Sequence, residues 1–136
     1  MQSYNLKIAT HSSKLKSLNN VDIYIVDTFG ETKKFFRISS SVFMGGTIAK
    51  KGGQNPLEAA RYGSKIFHGP DIKNFPDIFR LLKNLNVSKE IRSPKQLVSL
   101  ISFNNKTLGG VKLKKIGRLI QEKTLKELQP FINNEP

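Results

Sequence analysis

The segment MGGTIAKKGGQNPLE, residues 44–58, carries two pairs of glycines between a predicted strand and a predicted helix. The strand is predicted at residues 41–44, and the positions of Pro56 and Glu58 indicate that the helix begins at Asn55. Such a connection places free backbone N–H groups and the positive end of a helix dipole at the carboxyl edge of a parallel sheet, where phosphates bind. Taken alone, the segment indicates either an anion site or ordinary turns followed by a capping box, and its spacing favours the turns.

Short β-branched runs alternate with helical periods along the rest of the chain, as expected of βα units around a mainly parallel sheet. Residues 21–26 form a nearly continuous apolar run, which is typical of a strand covered on both faces. The fold class predicted is therefore α/β, with one domain over residues 1–136 that ends in a basic helical segment at 104–130. The other predicted strands lie at 6–10, 65–68 and 87–91, and the other predicted helices lie at 31–39 or begin near Asn74 and Ser93. At the last of these, the spacing of Ser93 and Gln96 predicts a capping box.

The charge of the chain indicates an anionic partner. Lys and Arg number 23 against 10 Asp and Glu among 136 residues, which gives a formal net charge of +13. Such a charge attracts nucleic acid, phosphorylated small molecules and acidic membrane surfaces without choosing among them. The basic residues of 106–126 indicate either a solvated helix face or a surface for nucleic acid or an acidic bilayer. Because no aromatic residues are interleaved with them, a nucleic-acid partner is disfavoured.

Several residue types that active sites need are absent or scattered. The chain has no cysteine, which excludes disulfides, thiolate metal sites and thiol nucleophiles. Its two histidines, His11 and His68, lack a metal-ligand spacing, and no Ser/His/Asp set is evident, so neither a metal site nor a catalytic residue is predicted. No apolar run is long enough for a signal peptide or a membrane span, so we expect a chain that neither crosses a membrane nor is exported.

Two further loops follow predicted strands. DTFGE at 27–31 follows the strand at 21–26, and HGPDIKNF at 68–75 follows the strand at 65–68. Each loop by itself is more typical of a structural turn. The carboxyl ends of parallel strands meet at one edge of a sheet, however, so these two loops and the glycine segment together favour a ligand site at that edge.

Five motifs and the closing segment GRLIQEKT at 117–124 resemble the C-terminal half of 3-deoxy-D-manno-octulosonic acid (Kdo) transferases. In order and with matching spacing, the motifs are DTFGE at 27–31, FMGG at 43–46, GGQNPLEAA at 52–60, GP at 69–70 and NF at 74–75. Members of this family are GT-B glycosyltransferases with two Rossmann-like domains. They transfer Kdo from CMP-Kdo to a lipid A precursor in the lipopolysaccharide biosynthesis of Gram-negative bacteria, at the cytoplasmic face of the inner membrane and without a metal. The resemblance therefore implies a Rossmann-like domain that binds the donor CMP-Kdo and needs no other cofactor.

The resemblance also implies a role for each matched position. Glu58 is expected to bind the ribose hydroxyls of CMP, and Asn55 is expected to hold the phosphate together with the amides around Gly53 and Gln54. The walls of the cytidine pocket are expected to be formed by Gly45, Gly46 and the turn Phe29, Gly30 and Glu31. Gly52 is a further expected donor-binding position. Family members commonly have a histidine where this chain has Gln54, so a proton-bearing role at that position is left unsupported.

The family pattern contains segments that are not matched in this chain. In the family, an acceptor-binding N-terminal domain with the general base precedes the matched region, so we expect no catalytic residue here and no transfer by this chain alone. The first strands of the C-terminal domain are also unmatched, and their expected place is the middle of the sheet. Residues 4–10 should therefore pair beside 21–26 or elsewhere. An exposed sheet edge would accept a partner chain or a second copy of this one.

The function predicted is the donor-binding part of a Kdo transferase, located at the inner face of the inner membrane, with the lipid acceptor bound by the unmatched half. One alternative is a domain of another GT-B nucleotide-sugar enzyme, since a glycine loop and a helix-start Glu recur there. Another is a basic module without enzymatic activity that binds nucleic acid or a membrane surface. Donor selectivity for CMP over UDP distinguishes the first alternative, and salt-dependent DNA binding that does not need Glu58 distinguishes the second.

Overall fold

The computed structural model describes residues 4–15, 17–103 and 105–132, without the side chain of Ile132. Contacts within the chain define two compact units, residues 1–35 and 36–136. One domain over residues 1–136 stays a prediction, and residues 1–3, 16, 104 and 133–136 of it lie outside the described residues. The strands are β1 (Ile8–Thr10), β2 (Ile23–Ile25), β3 (Ser41–Phe43), β4 (Lys65–His68) and β5 (Ser88–Glu90). The helices are α1 (Thr32–Ile38), α2 (Leu57–Arg61), α3 (Pro76–Asn84), α4 (Pro94–Leu100) and α5 (Gly109–Ile132).

Two parallel strands form the frame of the first unit. β1 pairs with β2, with Ile8 opposite Ile23 and Thr10 opposite Ile25. Of the two arrangements that were open for residues 4–10, the structure thus has the one beside the 21–26 strand. A single helical turn at His11–Ser13 leads out of β1.

The two faces of this small sheet differ. On one face, the Tyr24 ring lies about 6 Å from the rings of His11 and Phe35, and the Tyr24 hydroxyl is 2.9 Å from His11 Nδ1. On the other face, the side chains of Ile23 and Ile25 are 40% and 45% exposed. The expectation that this strand is covered on both faces is therefore wrong for the described residues, because the aromatic cluster of this unit packs on one face only.

A three-stranded parallel sheet in the order β3-β4-β5 organises the second unit. The central strand carries Ile66 and Phe67, which are almost completely buried, as expected of a strand with neighbours on both sides and helices on its faces. The sequence predicts one sheet, whereas the described residues form two, because no described strand pairs with the outer edge of β3. The predicted fold class, α/β with parallel strands and flanking helices, is confirmed.

Local signals explain where two of the helices begin and end. Pro76 at the start of α3 needs no hydrogen-bond acceptor, and Asn86 just beyond its end adopts a left-handed conformation with φ of 58°. α4 begins with the predicted capping interaction, in which the Gln96 N–H donates to Ser93 Oγ over 3.2 Å. In return, the Arg92 N–H donates to Gln96 Oε1 over 2.9 Å.

The core of the second unit lies between the sheet and the helices α2, α3 and α5. α5 contributes Leu113 from its second turn, whereas its residues 117–131 are exposed. Within the described residues, no helix combines the length and apolar character that a membrane crossing needs. The buried residues of the core cluster are Met44, Ala59, Ala60, Ile66, Phe79, Leu82, Val87 and Leu113.

Truncation of Leu82 should destabilise the second unit because this side chain is completely buried in the core cluster. We expect Leu82→Ala to lower the free energy of unfolding by about 2–5 kcal/mol, from lost burial and the cavity left behind. Urea unfolding followed by far-UV circular dichroism measures this change. The control is Leu119→Ala on α5, where the side chain is 57% exposed and the expected change is about 0.5 kcal/mol or less. Equal losses in the two variants would contradict the described core.

Candidate functional site

The glycine segment connects β3 to α2 through left-handed backbone. Gly46, Gly52 and Gly53 have φ of 81°, 79° and 75°, values that residues with a Cβ atom rarely adopt. The turn between the two glycine pairs is closed by the Lys51 N–H, which donates to Gly46 O over 2.9 Å. The sequence signal of paired glycines therefore has a conformational cause at three of the four positions.

Thr47 anchors this segment to the loop that follows β4. Its side chain is completely buried, and Oγ1 donates to Met44 O and accepts the N–H of Gly69, both over 2.7 Å. Its carbonyl oxygen accepts the N–H of Asp71 over 3.0 Å. A Cβ atom at Gly69 would lie 2.7 Å from Thr47 O, so only glycine permits this approach. Two of the three loops that the sequence singled out are thus held together.

Asp71 and Asn74 make a second connection between the same two loops. The Gly52 N–H donates to Asp71 Oδ2 over 2.8 Å, and Asn74 Nδ2 donates to the carbonyls of Lys51 and Gly53 over 3.1 Å each. A Cβ atom at Gly52 would collide with the Asn74 side chain. The amide of Gly52 is therefore already used, whereas no acceptor among the described residues takes the N–H groups of Gly53 and Gln54.

Asn55 and Glu58 lie at the start of α2. Asn55 Oδ1 accepts the Leu57 N–H over 2.9 Å, so its side chain caps the helix as the structural interpretation of the sequence expected. Because Oδ1 is used in this way, Nδ2 is the part of the Asn55 side chain that can donate to a ligand. Glu58 is half-buried in the first turn of α2, a helix of five residues. The seven predicted positions of this segment and helix start all lie in the second unit: Gly45, Gln54 and Asn55 are exposed, Gly46 and Glu58 are half-buried, and Gly52 and Gly53 are buried.

The turn after β2 belongs to the first unit. Phe29 is fully exposed, and Gly30 has φ of 86°. Glu31 ends the turn, and its Oε2 atom is 2.8 Å from Lys34 Nζ. The hydrogen bond from Lys34 lowers the pKa of the Glu31 carboxyl below its ordinary value.

Asp27, at the beginning of the same turn, binds Ser12 twice. Its carboxylate accepts the backbone N–H of Ser12 over 2.9 Å and the Ser12 hydroxyl over 2.5 Å. The hydroxyl contact is the main cause that lowers the pKa of Asp27, and the backbone contact adds to it. The carboxylate therefore ties the end of β2 to the turn after β1.

Four residues of these loops were not among the predicted site positions: Thr47, Asp71, Asn74 and Asp27. Asn74 and Asp71 lie in the quoted HGPDIKNF loop, and Asp27 opens the DTFGE motif, so their motifs were found but their contacts were not. Thr47 carries no local signal beyond its place between the glycine pairs. Among the residues that the structure describes, no group of three or more His, Asp or Glu is placed to hold a metal ion.

Alanine at position 53 should strain the glycine segment. Its Cβ atom would lie 2.7 Å from Thr47 Cγ2, on backbone with φ of 75°. We expect Gly53→Ala to lower the free energy of unfolding by at least about 1–2 kcal/mol, the cost of a left-handed residue. The matched control is Gly45→Ala, since no described atom lies within 4 Å of a Cβ there. Urea unfolding curves of the two variants measure the difference, and a neutral Gly53→Ala would contradict this loop geometry.

Removal of the Ser12 hydroxyl should raise the pKa of Asp27 toward its ordinary value, because that hydroxyl is the largest cause of the lowered pKa. A carboxyl with a lowered folded-state pKa stabilises the fold above its unfolded-state pKa and loses this contribution as pH falls. Ser12→Ala should therefore weaken the loss of stability on acidification. NMR titration of the Asp27 carboxyl carbon measures the pKa directly. Ser13→Ala is the control, since the Ser13 hydroxyl donates to Thr10 O instead. Unchanged titration in Ser12→Ala would refute the assigned cause.

Comparison with known proteins identifies relatives of this chain. No protein-family profile matches the chain. A 3-deoxy-D-manno-octulosonic acid transferase of Rickettsia prowazekii is 38% identical over 110 residues, which cover 74% of this chain and 24% of that protein. The corresponding protein of Rickettsia bellii is 37% identical over 97 residues, or 68% of this chain and 23% of that protein. That of Haemophilus influenzae is 35% identical over 74 residues, or 54% of this chain and 17% of that protein.

A solved structure is also similar to this chain. The C-terminal CMP-Kdo binding domain of WaaA from Acinetobacter baumannii superposes with a TM-score of 0.65 and 26% identity, over 71% of this chain and 50% of that one. The expected likeness to the C-terminal domain of a GT-B glycosyltransferase is thereby confirmed. The chain spans about a quarter of the length of the Rickettsia relatives that it matches. Over that part it belongs to the 3-deoxy-D-manno-octulosonic acid transferase family.

Proposed function

We propose that this chain binds CMP-Kdo as the donor-binding part of a Kdo transferase, a glycosyltransferase that transfers Kdo to a lipid A precursor. The observation that carries the proposal is the glycine segment, which is fixed to the next loop by Thr47 and leaves the N–H groups of Gly53 and Gln54 without an acceptor among the residues that the structure describes. The similarity to a CMP-Kdo binding domain supports the choice of ligand.

The phosphate of the donor is proposed to bind at Gly53, Gln54 and Asn55. Two N–H groups held in a rigid loop are suitable donors to a phosphate, because they need no reorganisation when it binds. Asn55 adds Nδ2, since its Oδ1 atom already caps α2. Gln54 can donate and accept a hydrogen bond but carries no titratable proton, so its role is confined to binding.

The nucleoside is proposed to bind next to this phosphate position, with its ribose at Glu58 and its base at the glycine wall. Glu58 is half-buried one turn into α2, where its carboxylate can accept hydrogen bonds from two ribose hydroxyls. Gly45 and Gly46 are proposed to form the backbone wall, and Gly52, against which the Asn74 side chain packs, is proposed to support it. The expected part of Phe29, Gly30 and Glu31 in the cytidine pocket stays a prediction from the resemblance.

The catalytic step is proposed to need a second polypeptide segment. Direct attack of an acceptor hydroxyl on the donor requires a base, which we assign to the acceptor-binding half of the relatives rather than to this chain. The contribution of this chain to the reaction is then stabilisation of the departing CMP phosphate by the amides named above. We propose that the protein acts at the inner face of the inner membrane. Its net charge of +13 supports this location, because it attracts both an anionic donor and an acidic lipid surface.

Isothermal titration calorimetry with CMP and UMP tests the donor site. We expect CMP to bind more tightly than UMP, and Glu58→Ala and Asn55→Ala each to weaken CMP binding by about 10- to 100-fold, as loss of charged or buried hydrogen bonds predicts. Glu122→Ala is the control, since Glu122 is exposed on α5. Urea unfolding verifies that each variant is folded.

Three outcomes of this titration would contradict the proposal. CMP binding that neither variant weakens would place the nucleotide elsewhere. Equal binding of UMP would favour another nucleotide-sugar enzyme of the GT-B class. A folded chain that binds neither nucleotide would show that this part of the domain does not form a donor site by itself.

A further inference from the structure

A cavity lies at the carboxyl ends of β4 and β5, apart from the glycine segment. It encloses about 230 Å³ and is formed by the last residue of each strand, His68 and Glu90, and by side chains of α3. No residue of 44–58 lines it. α/β proteins bind ligands at the carboxyl edge of a parallel sheet, so the position of this cavity is typical of a ligand site.

His68 supplies a polar group at the bottom of the cavity. The residue is 5% exposed, and its Nδ1 atom is 2.8 Å from Gly69 O. Since a carbonyl oxygen can only accept, Nδ1 must carry the proton that it donates. The other ring nitrogen, Nε2, makes no hydrogen bond to the described residues, and it is not among the buried side-chain atoms that lack a partner. Nε2 is therefore accessible from the cavity, where a ligand can replace the water that binds it.

The rest of the floor is aromatic and apolar. The ring centroids of His68 and Phe79 are 4.5 Å apart at an interplanar angle of 53°, and Phe79 is almost completely buried. Pro76 at the start of α3 lies beside them. A flat or apolar body of small size is therefore the kind of group that this floor accommodates.

Two cations stand at the mouth of the cavity. Arg80 and Lys83 are three residues apart on α3 and hence on the same side of the helix. The contact of Arg80 Nη1 with Asp77 over 2.9 Å is an exposed pair, and the guanidinium retains other donors. The acid on the opposite wall, Glu90, already binds Arg92 Nε through Oε1 over 2.9 Å. The mouth thus offers positive charge to an anion.

We propose that this cavity is a binding site for a small phosphate monoester with a flat apolar body. The phosphate lies between Arg80 and Lys83, the body lies against Phe79 and Pro76, and one phosphate oxygen is within reach of His68 Nε2. In the neutral ring, Nε2 accepts from a phosphate hydroxyl, and in the protonated ring it donates to a phosphate oxygen. The proposal is independent of the donor site, because the two sites share no lining residue.

Phenyl phosphate is the probe that tests this site, with inorganic phosphate as the version without the flat body. The readout is the Cε1–Hε1 resonance of each histidine in ¹H–¹³C spectra of the full chain. His11, in the other unit, is an internal reference. We expect phenyl phosphate to shift the His68 resonance saturably at millimolar concentrations, with inorganic phosphate weaker and His11 unmoved.

Charge variants separate a built site from general attraction to a basic protein. Arg80→Gln with Lys83→Gln should weaken the His68 response about tenfold or more, as loss of two charge-assisted contacts predicts. Lys115→Gln with Lys126→Gln removes the same charge from exposed positions of α5 and should leave the response unchanged. Glu58→Ala should also leave it unchanged, whereas it should weaken binding of CMP at the donor site.

Three results would overturn the proposal. No shift of His68 up to the solubility of the probe would show that the cavity binds no such ligand. Equal shifts of His68 and His11, or equal weakening by both double variants, would show attraction by net charge alone. Loss of the response in a folded Glu58→Ala variant would make the cavity part of the donor site rather than a site of its own.

Discussion

The buried hydroxyl of Thr47 is the contact on which the candidate site depends. It donates to the end of β3 and accepts from the loop after β4, so one side chain fixes two loops that lie more than twenty residues apart. The contact and Gly69 require each other, because any Cβ at Gly69 would meet the carbonyl of Thr47. Removal of such a hydroxyl would leave a buried N–H and a buried carbonyl without a partner, which costs more than the bonds themselves contribute. The loops therefore behave as one rigid surface.

Because the loops are rigid, the free N–H groups can bind an anion without first being ordered. An N–H group in a mobile loop must be ordered before it can bind an anion, whereas the N–H groups of Gly53 and Gln54 are ordered before any ligand arrives. Their positions follow from glycine backbone that Asn74 holds through the carbonyls of Lys51 and Gly53. The helix that follows has only five residues, so the individual amides, and not a long helix dipole, provide most of the attraction for a phosphate.

Local patterns predicted the elements, and contacts between distant residues decided the rest. The β4 strand at 65–68 and the capping of α4 by Ser93 were predicted because their signals lie within a few neighbouring residues. The resemblance in five motifs identified the family, which the comparisons confirm. The hydrogen bond between the Gly52 N–H and Asp71 joins residues 19 positions apart, so no local sequence pattern predicts it. Likewise, the division into two sheets depends on which strands pair with each other, and pairing is not visible in local sequence. The apolar run at 21–26 does not distinguish a strand with one covered face from a strand with two.

The role of Gly52 shows how the structure narrows a prediction made from the resemblance. Gly52 is one of the expected donor-binding positions, but its amide already donates to the carboxylate of Asp71. A phosphate at that position would have to displace a charge-assisted hydrogen bond and approach a carboxylate of its own sign. The next two amides carry no such burden. The phosphate position proposed at Gly53, Gln54 and Asn55 therefore excludes the Gly52 amide, and Asn55 Nδ2 adds a side-chain donor at the start of α2.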